Sequence, residues 1–394
     1  MRLALIAQLL LLTLAVAKEP APVRFDPHVI EGNIPGGYSV LVTDINHDGR
    51  PDVLGMTQRV PELAWYENPR WERHVMVRGL NNLVNMAAQD IDGDGYPEVA
   101  IQSDFSMVAA QSPGLNWLLV RDGDPRGLWK RYKIDQLTTS HHLAWADLDG
   151  DGRKELVNAP LIGPNAVAPK YEDHTPLVYY KVPPSWEGPW ERRLIDDRLF
   201  GIVHRVRPVK WVPGRRDQLL ITGFEGILLY SPVSKPSAIQ WRKQLLSKGH
   251  QEPAPRAGSS DVALGRLKAH RFLAAVEPWH GNEVVVYTPS GRSWRRRVIF
   301  DSLIEGHEVC VGDLNGDGRE DIVVGDRARG RISTSHIFYA ADDRGMSWRH
   351  VPLDENGMSA SGCAVADINR DGRLDIVMIG GATHNIKWYE NLGP

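Results

Sequence analysis

Apolar residues in this chain fall in short runs of four to eight, alternating or continuously apolar, and are cut by Gly, Asp, Asn and Pro; no stretch sustains a helical period. Such runs predict short β-strands. They recur in sets of four: one strand before an acidic loop, one after it, a third rich in aromatics, and a fourth opened by a tryptophan and basic residues. The third strand reads as Leu63-Ala-Trp-Tyr-Glu-Asn, Val178-Tyr-Tyr, Gly226-Ile-Leu-Leu-Tyr and Ile386-Lys-Trp-Tyr-Glu-Asn. The tryptophan marker stands at Trp71, Trp129, Trp190, Trp241, Trp294 and Trp348. Seven sets are present, two of them, around Val203–Tyr230 and Asp261–Tyr287, without the acidic loop. Seven copies of a four-stranded unit predict an all-β fold, a seven-bladed β-propeller. The last set stops after its third strand, and Val23–Ile30 offers the missing fourth. The N-terminal strand is therefore expected to pair with Ile386–Asn391 and close the ring, leaving no open edge.

The acidic loops share one register. Oxygen side chains stand at positions 1, 3, 5 and 9 in Asp44-Asn46-Asp48-Asp52, Asp90-Asp92-Asp94-Glu98, Asp147-Asp149-Asp151-Glu155, Asp313-Asn315-Asp317-Asp321 and Asp367-Asn369-Asp371-Asp375. Alternate residues of a tight turn converge on one point, which suits a hard oxygen-seeking cation, so up to five structural Ca²⁺ ions are expected. An EF-hand does not fit, because its loop of about twelve residues lies between helices.

Residues 1–17 combine a basic start, an apolar core and Ala15-Val-Ala17, the pattern of a signal peptide, with one propeller domain over residues 18–394. Secretion, extracellular or periplasmic, is the expectation, and no later run is apolar enough to span a membrane. The formal net charge is −3 and no basic run points to nucleic acid. Cys310 and Cys363 are the two cysteines. They stand one residue out of register in their repeats, on opposite strand faces, which argues against a bridge.

The loop motif between the first two strands of each blade resembles the FG-GAP or VCBS repeat family, which includes the integrin α propeller, over essentially the whole mature chain. The resemblance implies that the calcium loops close one end of the ring, so the first strand of each blade starts at the opposite end, near the axis. Five places before each first aspartate stand Ser39, Asn85, His142, His204, Asp261, Glu308 and Gly362; six places before stand Tyr38, Val84, His141, Val203, Ser260, His307 and Ser361. In the two repeats without the aspartate the flanking pattern sets this register. His142, His204, Asp261 and Glu308 then form a candidate ligand set for Zn²⁺ or another divalent transition metal. His141 and His307 stand beside them for acid–base work. Loops at the same end add Tyr171, His174 and His280 as acid–base candidates, and Trp279, Arg327 and His384 for substrate binding.

This metal-and-histidine end resembles the propeller domain of aldos-2-ulose dehydratases and, more distantly, seven-bladed polysaccharide lyases. The resemblance implies proton removal beside a carbonyl or carboxylate and loss of a β-oxygen, on an oxidised or acidic sugar. The alternative is a calcium-stabilised propeller that binds a glycan or a protein through this face without chemistry.

Overall fold

In the computed structural model, residues 22–235, 238–327 and 333–393 are described; the expected signal peptide lies outside them. Seven antiparallel four-stranded sheets follow one another along the chain. Blade one spans Gly37–Arg78, blade two Met86–Gln136, blade three Ser140–Phe200, blade four Val203–Ser247, blade five Asp261–Phe300 and blade six Val309–Glu355. Blade seven takes three strands from Ala360–Asn391 and its fourth from Phe25–Glu31, with Phe25 opposite Asn391 and Val29 opposite Lys387. The ring is closed as the alternation predicts. Among the described residues no helix is long and apolar enough to cross a membrane.

The core lies between blades. Leu54, Met56 and Trp65 of blade one pack with Val99, Ile101 and Leu119 of blade two, and the other neighbours repeat the arrangement with Val, Ile, Leu and Tyr. The second strands are buried along their length, apart from the first two residues of His270–Glu277 in blade five, as a central strand covered on both faces must be. Face-to-face stacking also corrects the expectation for the cysteines. One blade's front meets the next blade's back, so residues on opposite strand faces of successive blades are neighbours, and Cys310 and Cys363 are disulfide-bonded with Cα atoms 6.3 Å apart.

Every calcium-type loop is clasped in one way. The position-9 carboxylate, buried under the loop, accepts the backbone N–H of position 2: Asp52 from Ile45, Glu98 from Ile91, Glu155 from Leu148, Asp321 from Leu314 and Asp375 from Ile368. The side-chain oxygens of Asp90, Asp92 and Asp94 lie within 4.8 Å of one another, as do those of Asp147, Asp149 and Glu155. That donor set, all oxygen and rich in charge, fits Ca²⁺.

Candidate functional site

At the end opposite the loops, the innermost strands of blades one, three, four and seven each open with a bulge. The register slips between Gly37 and Ser39, Ser140 and His142, Val203 and Arg205, and Ala360 and Gly362. A bulge inserts one residue and re-aims its side chain. The inserted residues are Tyr38, His141, His204 and Ser361, an upper ring that His307 of blade six joins. The second ring is Ser39, Asn85, His142, Arg205, Asp261, Glu308 and Gly362. In blade four the position of the first loop aspartate is held by Lys210, not Val209. His204 thus belongs one level higher than expected, and Arg205 takes its place.

That single residue reorganises the lower ring. The Arg205 guanidinium reaches Asp261 Oδ1 at 3.0 Å and Glu308 Oε1 at 3.1 Å, and donates to His142 Nε2 at 2.7 Å. Arg207, two residues along the same strand face, reaches Asp261 Oδ2 at 2.8 Å. Burial opposes ionisation of Asp261, but the two arginines outweigh it and hold the carboxyl below its usual range. His142, Asp261 and Glu308 are therefore partners of guanidinium groups. The structure does not bring them into one ligand set with His204.

The upper ring makes a different set. One ring nitrogen from each of His204, His280 and His307 lies within 4.8 Å of the others. His204 Nε2 and His280 Nε2 are 3.2 Å apart. His204 Nδ1 donates to the carbonyl of Ser260 at 2.8 Å, and His307 Nδ1 to that of Ser361 at 2.6 Å. Each bond fixes the tautomer and turns the Nε2 lone pair inward, the outer-shell arrangement of metal-binding histidines. His307 Nε2 is buried with no protein partner. Burial, aided by Arg205, lowers the pKa of His204 to about 3, and burial with Arg327 lowers those of His280 and His307 well below the ordinary value. The Nε2 lone pairs of His204 and His307 are open to a cation or to a hydrogen-bond donor such as the His280 ring. A tetrahedral ion with bonds of about 2.0–2.1 Å spaces its nitrogens by about 3.3–3.4 Å, so the spacing fits Zn²⁺ or a similar divalent metal.

His280 arrives from the loop between the second and third strands of blade five, at φ 47°. Trp279 stacks on its ring at 4.6 Å and packs with Tyr171 and Phe224 in an apolar cluster. Trp279 and Tyr171 thus buttress the His280 ring. His174 is exposed beside Phe200, away from the three-histidine set.

His141 lies against His204, with ring centroids 5.1 Å apart, and its Nε2 is 3.1 Å from the Tyr38 hydroxyl. Tyr38 also touches the His307 ring at 5.2 Å. It lines both the histidine chamber and an open cleft of about 530 Å³ whose walls include Arg59, Arg327 and His384. Burial raises the Tyr38 pKa, opposed by Arg327 and Arg205. Burial lowers that of His141 well below its usual value. Phenol and imidazole are both neutral, at the boundary of chamber and cleft.

The comparisons agree with the architecture. An FG-GAP-like repeat model matches residues 44–101 and 313–378, and the model for the β-propeller domain of aldos-2-ulose dehydratase matches residues 114–290. The chain is a seven-bladed propeller with FG-GAP-like repeats in those two segments, and its middle resembles that dehydratase domain. Aldos-2-ulose dehydratase of Phanerodontia chrysosporium is 24% identical over 349 residues, a match covering 76% of this chain and 37% of the relative. The chain thus spans little more than a third of that relative's length. An exotype rhamnogalacturonan lyase, YesX, shares the fold at 12% identity with a TM-score of 0.52, covering 96% of this propeller and 76% of the lyase.

Three residues of the propeller's upper end escaped the sequence reading: Arg205, Arg59 and the role of Tyr38. Pairing the second strands would have found the first. Leu219–Thr222 aligns with Leu156–Ala159, and counting back through each hairpin sets Arg205 opposite Thr222 as His142 stands opposite Ala159.

Proposed function

We propose that this propeller is a metal-assisted lyase or dehydratase acting on an oxidised or acidic sugar, with its chemistry at the junction of the three-histidine set and the cleft. The convergence of His204, His280 and His307 beside the Tyr38–His141 pair carries this reading. The resemblance to an aldos-2-ulose dehydratase supports it. His204, His280 and His307 would hold the ion, which supplies Lewis acidity toward a carbonyl or carboxylate oxygen. The chain's residues then handle the protons. The C–H proton beside the carbonyl or carboxylate passes to the Tyr38 oxygen as the phenol's own proton moves to His141 Nε2. The electron pair left on carbon forms the double bond and expels the β-oxygen. That oxygen takes a proton back from Tyr38, which recovers its own from His141. The balance is one C–H and one C–O bond lost, with one C=C and one O–H formed. Arg205 is a positioning residue that holds His142 and both carboxylates beneath the site.

Elemental analysis with activity tests the proposal. The purified protein should carry about one equivalent of a transition metal besides calcium, lost in His204→Ala and His280→Ala and retained in Asp94→Ala. Tyr38→Phe and His141→Ala should keep the metal and lower kcat by roughly 10²–10⁴-fold. Full turnover in His204→Ala would remove the metal from the chemistry, and a preparation with calcium alone and no turnover would return the protein to a binding propeller whose affinity depends on Arg327.

A further inference from the structure

The cleft that Tyr38 lines carries unspent positive charge. Arg59 comes from the end of blade one's second strand and has no carboxylate partner among the described residues. Its arm lies across Gly36: a Cβ there would stand 3.0 Å from Arg59 Cγ and Cδ. Gly36, at φ 67°, leaves room for the arm and keeps it from sweeping through solvent. Arg327 follows the second strand of blade six, across blade seven from Arg59, and among the described residues Glu305, 3.8 Å away and half exposed, is the one carboxylate near it. Arg327 also acts on the chamber, since its charge is the leading cause after burial of the low basicity of His280 and His307. In the wall of the same cleft, His384 Nδ1 accepts the Gly36 N–H at 3.1 Å, which leaves Nε2 to carry the proton and act as a donor. Two guanidinium groups and a neutral donor against a single loosely held carboxylate make a receptor for one anion on a polyhydroxylated ring.

We infer that the substrate is a sugar acid, its carboxylate seated between Arg59 and Arg327 with the adjoining C–H turned to Tyr38, and a ring hydroxyl against His384. The inference rests on the elimination reading for its chemistry but not for its test. A carboxylate is the group that needs two arginines, whereas a neutral ketose would leave both unpaired in a half-enclosed cleft.

Binding measured by calorimetry on the intact metal-loaded protein separates the two claims. The probes are D-glucuronate and D-galacturonate, each beside its methyl ester, which keeps the ring and removes the charge. At least one acid should bind tenfold or more tighter than its ester. That preference should collapse in Arg327→Gln and in Arg59→Gln, and weaken in Gly36→Ala, which displaces the Arg59 arm. All three variants should keep their transition metal, and both arginine variants their melting temperature, whereas Gly36→Ala melts somewhat lower because Ala is strained at φ 67°. Equal affinity for acid and ester, or a preference unchanged in both arginine variants, overturns the sugar-acid assignment while leaving elimination from a neutral sugar intact. Acid binding with the expected arginine dependence but no unsaturated product from any acid supports the assignment and removes the elimination reading instead.

Discussion

Which nitrogen of an imidazole carries the proton decides what each histidine here can do. His204 and His307 give theirs to main-chain carbonyls and present lone pairs, whereas His142 accepts from Arg205 and so presents an N–H. A separate pair shows the same rule with a measurable cost. His336 of blade six is buried among Phe300 and Phe338, with His350 Nε2 at 2.9 Å from its Nδ1 and Asp326 at 4.0 Å from its Nε2. Burial, then the neighbouring His350, lowers its pKa to about 4. The unfolded imidazole binds its proton near 6.5, so the unfolded state gains protons first as pH falls. Stability is full above pH 6.5, declines between about 6.5 and 4, and levels below that. The difference is worth up to about 2–3 kcal/mol. His336→Phe should flatten this window in urea melts at pH 7, 5 and 4, and an unchanged slope would mean the ring is already charged when folded. None of these tautomers can be read from the sequence. That histidines gather at one end was legible from the repeat register, but which ones converge depended on Lys210 standing where an aspartate stands elsewhere, and on bulges that no residue type announces.

The hairpin joining the first two strands is the element that the sequence displayed best, because its chemistry is local. Five times a buried carboxylate at position 9 accepts the position-2 N–H. In blade four Gln218 does the same with its side-chain carbonyl, accepting from Trp211 at 2.8 Å and Val212 at 3.1 Å. Lys210 at position 1 pairs with Asp217 at 2.8 Å. A neutral acceptor and an internal cation therefore complete the hairpin of blade four from side chains alone. This explains how a blade is built without the acidic motif. It also separates the two tasks of the position-9 residue, clasp and charge. Glu155→Ala leaves the Leu148 N–H buried without a partner and should cost about 1–3 kcal/mol whether or not calcium is added. Glu155→Gln keeps the clasp, so it should cost little in calcium-free buffer and appear destabilising only when calcium is supplied. Thermal melts of both variants with and without Ca²⁺ check this, and identical behaviour of the two would show that the clasp contributes nothing.

At the scale of the molecule, each inner strand ties two unlike ends together. Ser140–Ala146 begins beside the histidine chamber and ends at Asp147 of a calcium-type loop; seven residues of strand rise about 20 Å. Oxygen donors with many charges lie at one end and neutral nitrogen donors at the other, so the two ends should select different ions without exchanging them. The ring was legible in advance because closure is a counting property: seven sets, with the N-terminal strand supplying the missing edge. The contents of its upper face were not, because Arg59 and Tyr38, His280, and Arg327 come from three different blades. Selective chelation follows from this separation. EGTA followed by replenishment with Zn²⁺, so that calcium alone is missing, should lower the melting temperature by roughly 10 °C or more, since each site of five near 100-fold saturation contributes about 2.7 kcal/mol. That treatment should leave a transition metal on His204, His280 and His307. Phenanthroline should do the reverse, removing that metal and the turnover that depends on it while the melting temperature stays within a few degrees, because the disulfide, the closing strand and the inter-blade core do not involve those histidines. Re-adding Ca²⁺ after EGTA should restore the melt, and Zn²⁺ should not. If phenanthroline unfolded the protein as fully as EGTA, the histidine set would be a structural clamp, and the case for chemistry at the cleft would lose its metal.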